Sequence, residues 1–127
     1  MPADSAERTV LLVEDDPDNR IIFRTILEYH GHRVVEAADG EVGVELARST
    51  LPDLILMDIT LPRLDGWSAI RMLRAAPETA AIPIVALTAL VLEEDRERAK
   101  SLGCAGYLSK PIALGRILAE VDRVLAL

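Results

Sequence analysis

The chain has 127 residues, half of them hydrophobic, with a formal net charge of −7 at pH 7 and a pI near 4.8. This length and composition favour one domain with a hydrophobic core over a disordered chain. The acidic balance argues against a nucleic-acid partner and against an anionic membrane surface, because both favour a basic face. No apolar run approaches the roughly 18–20 residues that span a membrane.

Cys104 is the one cysteine, so an internal disulfide is excluded and a reducing compartment is favoured. Residues 1–8 lack the basic and then apolar pattern of a signal peptide. We therefore expect a cytoplasmic protein in which residues 1–8 form a disordered tail and residues 9–127 form a single folded domain.

Short apolar runs, each bounded by turn-forming residues, predict five strands of a parallel sheet that is covered on both faces. The second run is less uniformly apolar than the others, which places it nearer an edge of the sheet. The predicted strands are residues 9–13, 33–37, 54–57, 82–87 and 105–108.

A helical pattern follows each predicted strand. Asp16 before Pro17 is typical of an N-cap followed by proline at the first helical position, and Asp65 caps the helix after the third strand. Five strand–helix units predict an α/β fold, a three-layer, doubly wound parallel sheet with right-handed crossovers. The apolar sides of the first and last helices carry Ile22, Phe23, Ile26 and Leu27, and Leu114, Ile117, Leu118, Val121 and Leu125.

Four strand ends carry polar residues within this apolar pattern. Glu14 and Asp15 follow the first strand, Asp58 the third and Thr88 the fourth, and Lys110 lies just after the fifth. A charged residue beside a buried strand is costly unless it lies at the carboxyl end, where open α/β sheets bind their ligands. Because the carboxyl ends of parallel strands share one edge, we expect these groups to converge.

Three converging carboxylates repel one another unless a cation joins them, and a set of hard oxygens favours Mg²⁺. Lys110 can pair with Asp58 or with a phosphoryl oxygen, and Thr88 offers a hydroxyl to the same group. The combination predicts phosphoryl transfer to a carboxylate. Asp58 would be the nucleophile that forms an aspartyl phosphate, and Mg²⁺ and Lys110 would neutralise the charge on the moving group.

These segments together resemble the receiver (CheY-like) domain of two-component response regulators. The resemblance extends from about Thr9 to the C-terminus and implies a flavodoxin-like sheet with the strand order 2-1-3-4-5. The segments that carry it are residues 12–16 (LVEDD), 56–58 (LMD), 61–62 (LP), 65–66 (DG), 87–89 (LTA) and 107–111 (YLSKP).

The resemblance also implies a role for each matching residue. Asp58 corresponds to the phosphoacceptor. Asp15 corresponds to a direct metal ligand, as does the backbone carbonyl of Thr60, and Glu14 to a ligand that acts through water. Lys110 corresponds to the lysine that contacts the phosphoryl group.

Three further positions follow from the same resemblance. Thr88 and Tyr107 correspond to the pair of residues that switch conformation on phosphorylation, and the Lys110–Pro111 bond is expected to be cis. Leu90 is apolar and cannot orient an attacking water. We therefore expect a long-lived acyl phosphate, whose loss the Leu90→Glu substitution would accelerate in a dephosphorylation assay.

The function implied is that of a stand-alone response regulator in two-component phosphorelay signalling. It would accept a phosphoryl group from a histidine kinase or a histidine phosphotransfer protein and would catalyse only its own phosphorylation and slow dephosphorylation. A downstream protein would bind the face formed by the fourth helix, fifth strand and fifth helix. The protein would be a monomer or a phosphorylation-dependent dimer.

The sequence leaves three alternatives open. A phosphohydrolase of the haloacid dehalogenase type also uses a strand-end aspartate with Mg²⁺, but Thr60 replaces its usual second acid and no cap domain is present. A pseudo-receiver that only binds partners is opposed by the complete site. Flavin binding of the flavodoxin type needs a phosphate-cradling loop after the first strand, where Glu14, Asp15 and Asp16 would repel phosphate.

Overall fold

The computed structural model describes residues 7–89 and 92–126. Most of the predicted tail, and Leu90 with the lifetime predicted from it, lie outside the described residues. Within these ranges, five strands alternate with five helices. They are β1 Thr9–Val13, α1 Pro17–Tyr29, β2 Arg33–Ala37, α2 Gly40–Thr50, β3 Leu54–Asp58, α3 Gly66–Ala75, β4 Ile84–Thr88, α4 Glu93–Ser101, β5 Gly106–Ser109 and α5 Leu114–Leu125.

The strands form one parallel sheet in the order β2-β1-β3-β4-β5, which confirms the predicted doubly wound fold. β3 lies at the centre of the sheet, and all of its residues are buried. β2 is an edge strand, as its mixed sequence predicts, and only its last residue, Ala37, is buried. The central strand therefore delivers its last residue, Asp58, to the middle of the carboxyl edge.

The two faces of the sheet are covered by different helices, because successive side chains of a strand point to opposite faces. Leu11 and Val13 of β1 pack in a core with α2, α3 and the buried Ala99 of α4. Val10 and Leu12 pack in a second core with α1 and α5. Both faces need apolar residues, which explains why the central strands are uninterrupted apolar runs.

Helix starts follow the expected capping chemistry. Three helices begin after an aspartate whose side chain accepts a backbone N–H two or three residues later, and this satisfies a donor that the helix leaves free. These caps are Asp16 for α1, Asp39 for α2 and Asp65 for α3. No helix in the described part of the chain has the length and apolar character needed to cross a membrane.

Arg74, near the end of α3, joins three segments of the chain. Its half-buried guanidinium donates to the carbonyls of Ala80 at 2.9 Å, Ile82 at 2.8 Å, Leu102 at 3.0 Å and Gly103 at 3.0 Å. Burial lowers the pKa of this guanidinium. The planar fork of an arginine suits such a set of acceptors, and a lysine ammonium does not.

β4 begins at Ile84, two residues later than predicted. Pro83 has no N–H to donate to a neighbouring strand, and the Ile82 carbonyl accepts its hydrogen bond from Arg74. β5 also lies one residue later than predicted, at Gly106–Ser109.

We expect Arg74→Lys to lower the free energy of unfolding by about 2–3 kcal/mol, because one ammonium cannot reach all of these carbonyls and leaves some of them unpaired. Urea unfolding measures the change. Arg71→Lys is the matched control, since Arg71 is an exposed residue of the same helix that donates to Ser68 Oγ at 3.1 Å. Equal stability of the two variants would contradict the structural role given to Arg74.

His32, in the turn between α1 and β2, provides a test of pH dependence. Burial lowers the pKa of its imidazole below the ordinary value of 6.5, although the charge of Asp122 opposes the shift. The folded state therefore binds fewer protons than the unfolded state, so stability rises with pH and is lost as the pH falls below 6.5. Urea unfolding at about pH 7.5 and about pH 5.5 should show this loss in wild type.

His32→Gln should show a smaller loss over the same interval. His30→Gln, which removes an exposed histidine of the same turn, should keep most of the wild-type loss, because burial lowers the pKa of His32 more than the charge of His30 does. An identical pH dependence in wild type and His32→Gln would contradict the shift assigned to His32.

Candidate functional site

Groups from three strand ends meet at the carboxyl edge of the sheet. Lys110 Nζ lies 2.8 Å from Glu14 Oε1 and 2.9 Å from Asp58 Oδ2. Lys110 follows β5, Glu14 follows β1 and Asp58 ends β3, so one ammonium bridges carboxylates from two neighbouring strands. Glu14 and Lys110 are 96 residues apart in sequence, and the topology alone brings them together.

Burial controls the charge of this cluster. Glu14 is fully buried and Asp58 is 3% exposed. Burial raises the pKa of Glu14, and the hydrogen bond from Lys110 offsets part of that rise. Burial would lower the pKa of Lys110, but its hydrogen bonds to Glu14 and Asp58 outweigh this and the pKa is raised. Lys110 therefore stays positively charged between its two acidic partners at neutral pH.

The backbone after β3 fixes one oxygen of Asp58 and the start of α3. The Thr60 N–H donates to Asp58 Oδ1 at 3.0 Å, opposite the oxygen that Lys110 contacts. The Gly66 N–H donates to the Ile59 carbonyl at 2.9 Å. A Cβ at Gly66 would clash with the Asp58 carbonyl oxygen, so α3 can begin this close to Asp58 only with glycine.

Three carboxylates form the group that could hold a metal ion. One oxygen from each of Glu14, Asp15 and Asp58 lies within 4.8 Å of the other two. Glu14 Oε2 also accepts the Asp16 N–H at 3.1 Å, so both Glu14 oxygens have protein partners, whereas Asp15 is exposed to solvent. Hard carboxylate oxygens with solvent access on one side fit a divalent cation that keeps part of its water shell.

Thr88 and Lys110 are connected through the backbone. Thr88 is the last residue of β4 and is fully buried, and its carbonyl accepts the Lys110 N–H at 2.7 Å. The Lys110–Pro111 peptide bond is cis, as the resemblance implies. Tyr107, on β5, is half-buried, and the Arg96 guanidinium of α4 lies 5.6 Å from its ring centroid. Burial raises the pKa of the Tyr107 hydroxyl.

The structure thus brings Glu14, Asp15, Asp58 and Lys110 together, with Thr88 beside them and Tyr107 further along β5. Sequence reasoning missed two residues of this region. The close approach of Gly66 to Asp58 has a weak signal in the Asp-Gly pair at residues 65–66. Arg20 contacts the carbonyls of Glu14 and Asp15. No sequence signal points to it, because its other partner is Glu36 of β2, which is distant in sequence.

Residues 10–122 match the sequence profile of the response regulator receiver domain. The chain belongs to this family. The match covers the five described strands apart from Thr9, and all but the end of the last helix, and it agrees with the resemblance found in the strand-end segments. Membership favours the receiver interpretation over the phosphohydrolase and flavodoxin alternatives.

Individual relatives support this assignment. The receiver domain is 40% identical over 117 residues to the protein PilH of Pseudomonas aeruginosa, covering 92% of this chain and 97% of PilH. It is 36% identical to the polar-differentiation response regulator DivK of Brucella anthropi, covering 93% of this chain and 96% of DivK. These relatives are therefore about the same length as this chain.

A solved structure resembles the whole domain. The receiver domain of the sensor histidine kinase PA1611 from Pseudomonas aeruginosa has a TM-score of 0.87 and 39% identity, covering 96% of this chain and 100% of that chain. That structure holds a magnesium ion coordinated in the active-site cleft. The predicted family and fold are confirmed, and the roles given to single site residues stay predictions.

We expect Gly66→Ala to destabilise the domain by roughly 1–3 kcal/mol, because the new methyl group meets backbone atoms of Asp58 and Ile59 that cannot move aside. Gly115→Ala is the matched control. Gly115 lies in α5 with no atom within 4 Å of the added carbon, so this change should stabilise by about 0.5–1 kcal/mol. Chemical unfolding of both variants measures the difference, and equal effects of the two substitutions would contradict the close approach.

Proposed function

We propose that this chain is a stand-alone response regulator that accepts a phosphoryl group on Asp58 from a histidine kinase or a histidine phosphotransfer protein. The observation that carries the proposal is the contact of the Lys110 ammonium with Asp58 at 2.9 Å and with Glu14 at 2.8 Å. This cation lies where charge develops on a phosphoryl group attached to Asp58. The similarity in length to PilH and DivK supports a regulator that acts as a receiver domain.

The reaction is a displacement at phosphorus. An Asp58 carboxylate oxygen forms the new P–O bond, and the P–N bond to the phosphohistidine breaks. Its electron pair returns to the imidazole nitrogen, so a neutral imidazole leaves once protons are balanced with solvent. Lys110 holds one Asp58 oxygen and the Thr60 N–H holds the other, so the carboxylate is already oriented before the donor arrives.

The acidic cluster fits a bound Mg²⁺, which would neutralise charge on the phosphoryl oxygens. Asp15 is the exposed carboxylate and would bind the ion directly, together with Asp58 and the backbone carbonyl of Thr60. Glu14 would act through water, because both of its oxygens already accept hydrogen bonds from the protein. The magnesium in the cleft of the PA1611 receiver domain supports this assignment.

Phosphorylation of Asp58 would act on a partner through the residues next to Asp58. The hydroxyl of Thr88 would move toward the phosphoryl group and allow Tyr107 to turn inward, which would change the face formed by α4, β5 and α5. α4 suits such a change, since Ala99 is its only buried residue and the other residues of Glu93–Ser101 are polar. A downstream protein would bind this face, and the chain would be a monomer or a phosphorylation-dependent dimer.

The receiver domain would span residues 9–127. The unpaired thiol of Cys104 supports a cytoplasmic location, because the cytoplasm keeps thiols reduced. The chain would catalyse only its own phosphorylation and slow dephosphorylation, without turning over an external substrate.

Incubation with acetyl phosphate and Mg²⁺, followed by intact-mass measurement, tests the proposal. Wild type should gain one phosphoryl group, and Asp58→Asn should gain none because an amide is not a nucleophile at phosphorus. Asp122→Asn, which removes an exposed carboxylate of α5, is the control and should be modified as wild type is. Modification of Asp58→Asn, or rapid release of inorganic phosphate with no phosphoryl group accumulating on wild type, would refute the proposed role.

A further inference from the structure

The segment between β1 and α1, which carries Asp15, is fixed by an arginine from the first turn of α1. Arg20 Nη1 donates to the Glu14 carbonyl at 2.9 Å and to the Asp15 carbonyl at 3.3 Å. Both acceptors belong to the backbone of residues whose side chains form the acidic cluster. The guanidinium therefore fixes the direction of the two peptide units that flank the Asp15 Cα.

The guanidinium is itself oriented by the edge strand. Arg20 Nε lies 3.3 Å from Glu36 Oε1 of β2, and the same carboxylate accepts a hydrogen bond from Arg24 one turn further along α1. Arg20 and Glu36 are both half-buried, with side-chain exposures of 23% and 27%. Partial burial limits the freedom of the pair more than full exposure would.

We propose that Arg20 is a positioning residue for the metal site, holding the backbone of Glu14 and Asp15 so that the Asp15 carboxylate faces Asp58. The proposal rests on the function proposed above. It assigns β2 a part in the site through Glu36, although β2 contributes no residue to the acidic cluster.

The charge of Arg20 and its hydrogen bonds would act in opposite directions. A guanidinium next to a cation site repels the cation, so its charge alone weakens binding of Mg²⁺. Its hydrogen bonds to the two carbonyls hold a ligand in place and strengthen binding. If removal of Arg20 raises the dissociation constant for Mg²⁺, the hydrogen bonds are the larger effect. If removal lowers the constant, the repulsion by the charge is the larger effect.

Arg20→Gln should raise the dissociation constant for Mg²⁺ about tenfold, a typical cost of losing a group that orients a metal ligand. Arg20→Lys keeps the charge but has no planar fork to reach both carbonyls and Glu36, so it should also weaken binding. Arg24→Gln is the matched control. Arg24 shares Glu36 but contacts neither carbonyl, so its removal should leave the constant within about twofold.

Titration of the full chain with Mg²⁺, followed by the backbone amide signals of residues 14–16 and 60, measures these constants. Spectra of the metal-free variants should also show shifted signals at residues 14–16 in Arg20→Gln but not in Arg24→Gln. Urea unfolding of the same samples checks that each variant is folded. If Arg20→Gln does not fold, the dissociation constant of Arg20→Lys for Mg²⁺ is the test instead.

Unchanged or tighter Mg²⁺ binding by Arg20→Gln, or by Arg20→Lys in its place, would overturn the positioning role while leaving the proposed function intact. Wild-type protein that neither binds Mg²⁺ nor gains a phosphoryl group would instead overturn the proposed function, and the positioning role with it.

Discussion

The Lys110 ammonium is the group on which the carboxyl edge of the sheet depends. Glu14 is fully buried and Asp58 nearly so, and two adjacent carboxylates in that environment would repel each other without a cation between them. The ammonium contacts both of them and thereby joins β1 and β3 to the end of β5. Buried ion pairs add little net stability compared with apolar packing, so this arrangement is better explained by chemistry at Asp58 than by stability of the fold.

The backbone around this ammonium is as closely constrained as the side chains. Gly66 brings the start of α3 against the Asp58 backbone, where no larger residue fits. Arg20 holds the Glu14 and Asp15 carbonyls on the other side. Asp58 therefore lies between two segments that are held by close contacts. α4 differs from them, since Ala99 is its only buried residue, which fits the conformational response proposed for it.

Much of the fold was predictable from sequence, because the governing patterns are local. Apolar runs and aspartate caps located the strands and most helix starts, and strand-end polarity located the acidic cluster and Lys110. The burial of single apolar residues on the helices was less predictable. Ile22 and Leu114, both predicted on apolar sides, are 45% and 40% exposed, whereas Phe23 and Ile117 are buried. The periodicity of a helix does not show how far the neighbouring helix and the sheet extend over its apolar side.

The long-range contacts of Arg74 and Arg20 could not be predicted from sequence. The start of β4 depends on Arg74 binding the Ile82 carbonyl from another element, and the role of Arg20 depends on Glu36 from the neighbouring strand.

Lys110 lies late in the chain, 96 residues after Glu14. During translation Asp58 leaves the ribosome well before its ammonium partner, and a domain generally folds as a unit. A chain that has not yet reached Lys110 thus presents the carboxylate without its counter-ion, so the contacts of Lys110 with Glu14 and Asp58 form only after all five strands have been synthesised.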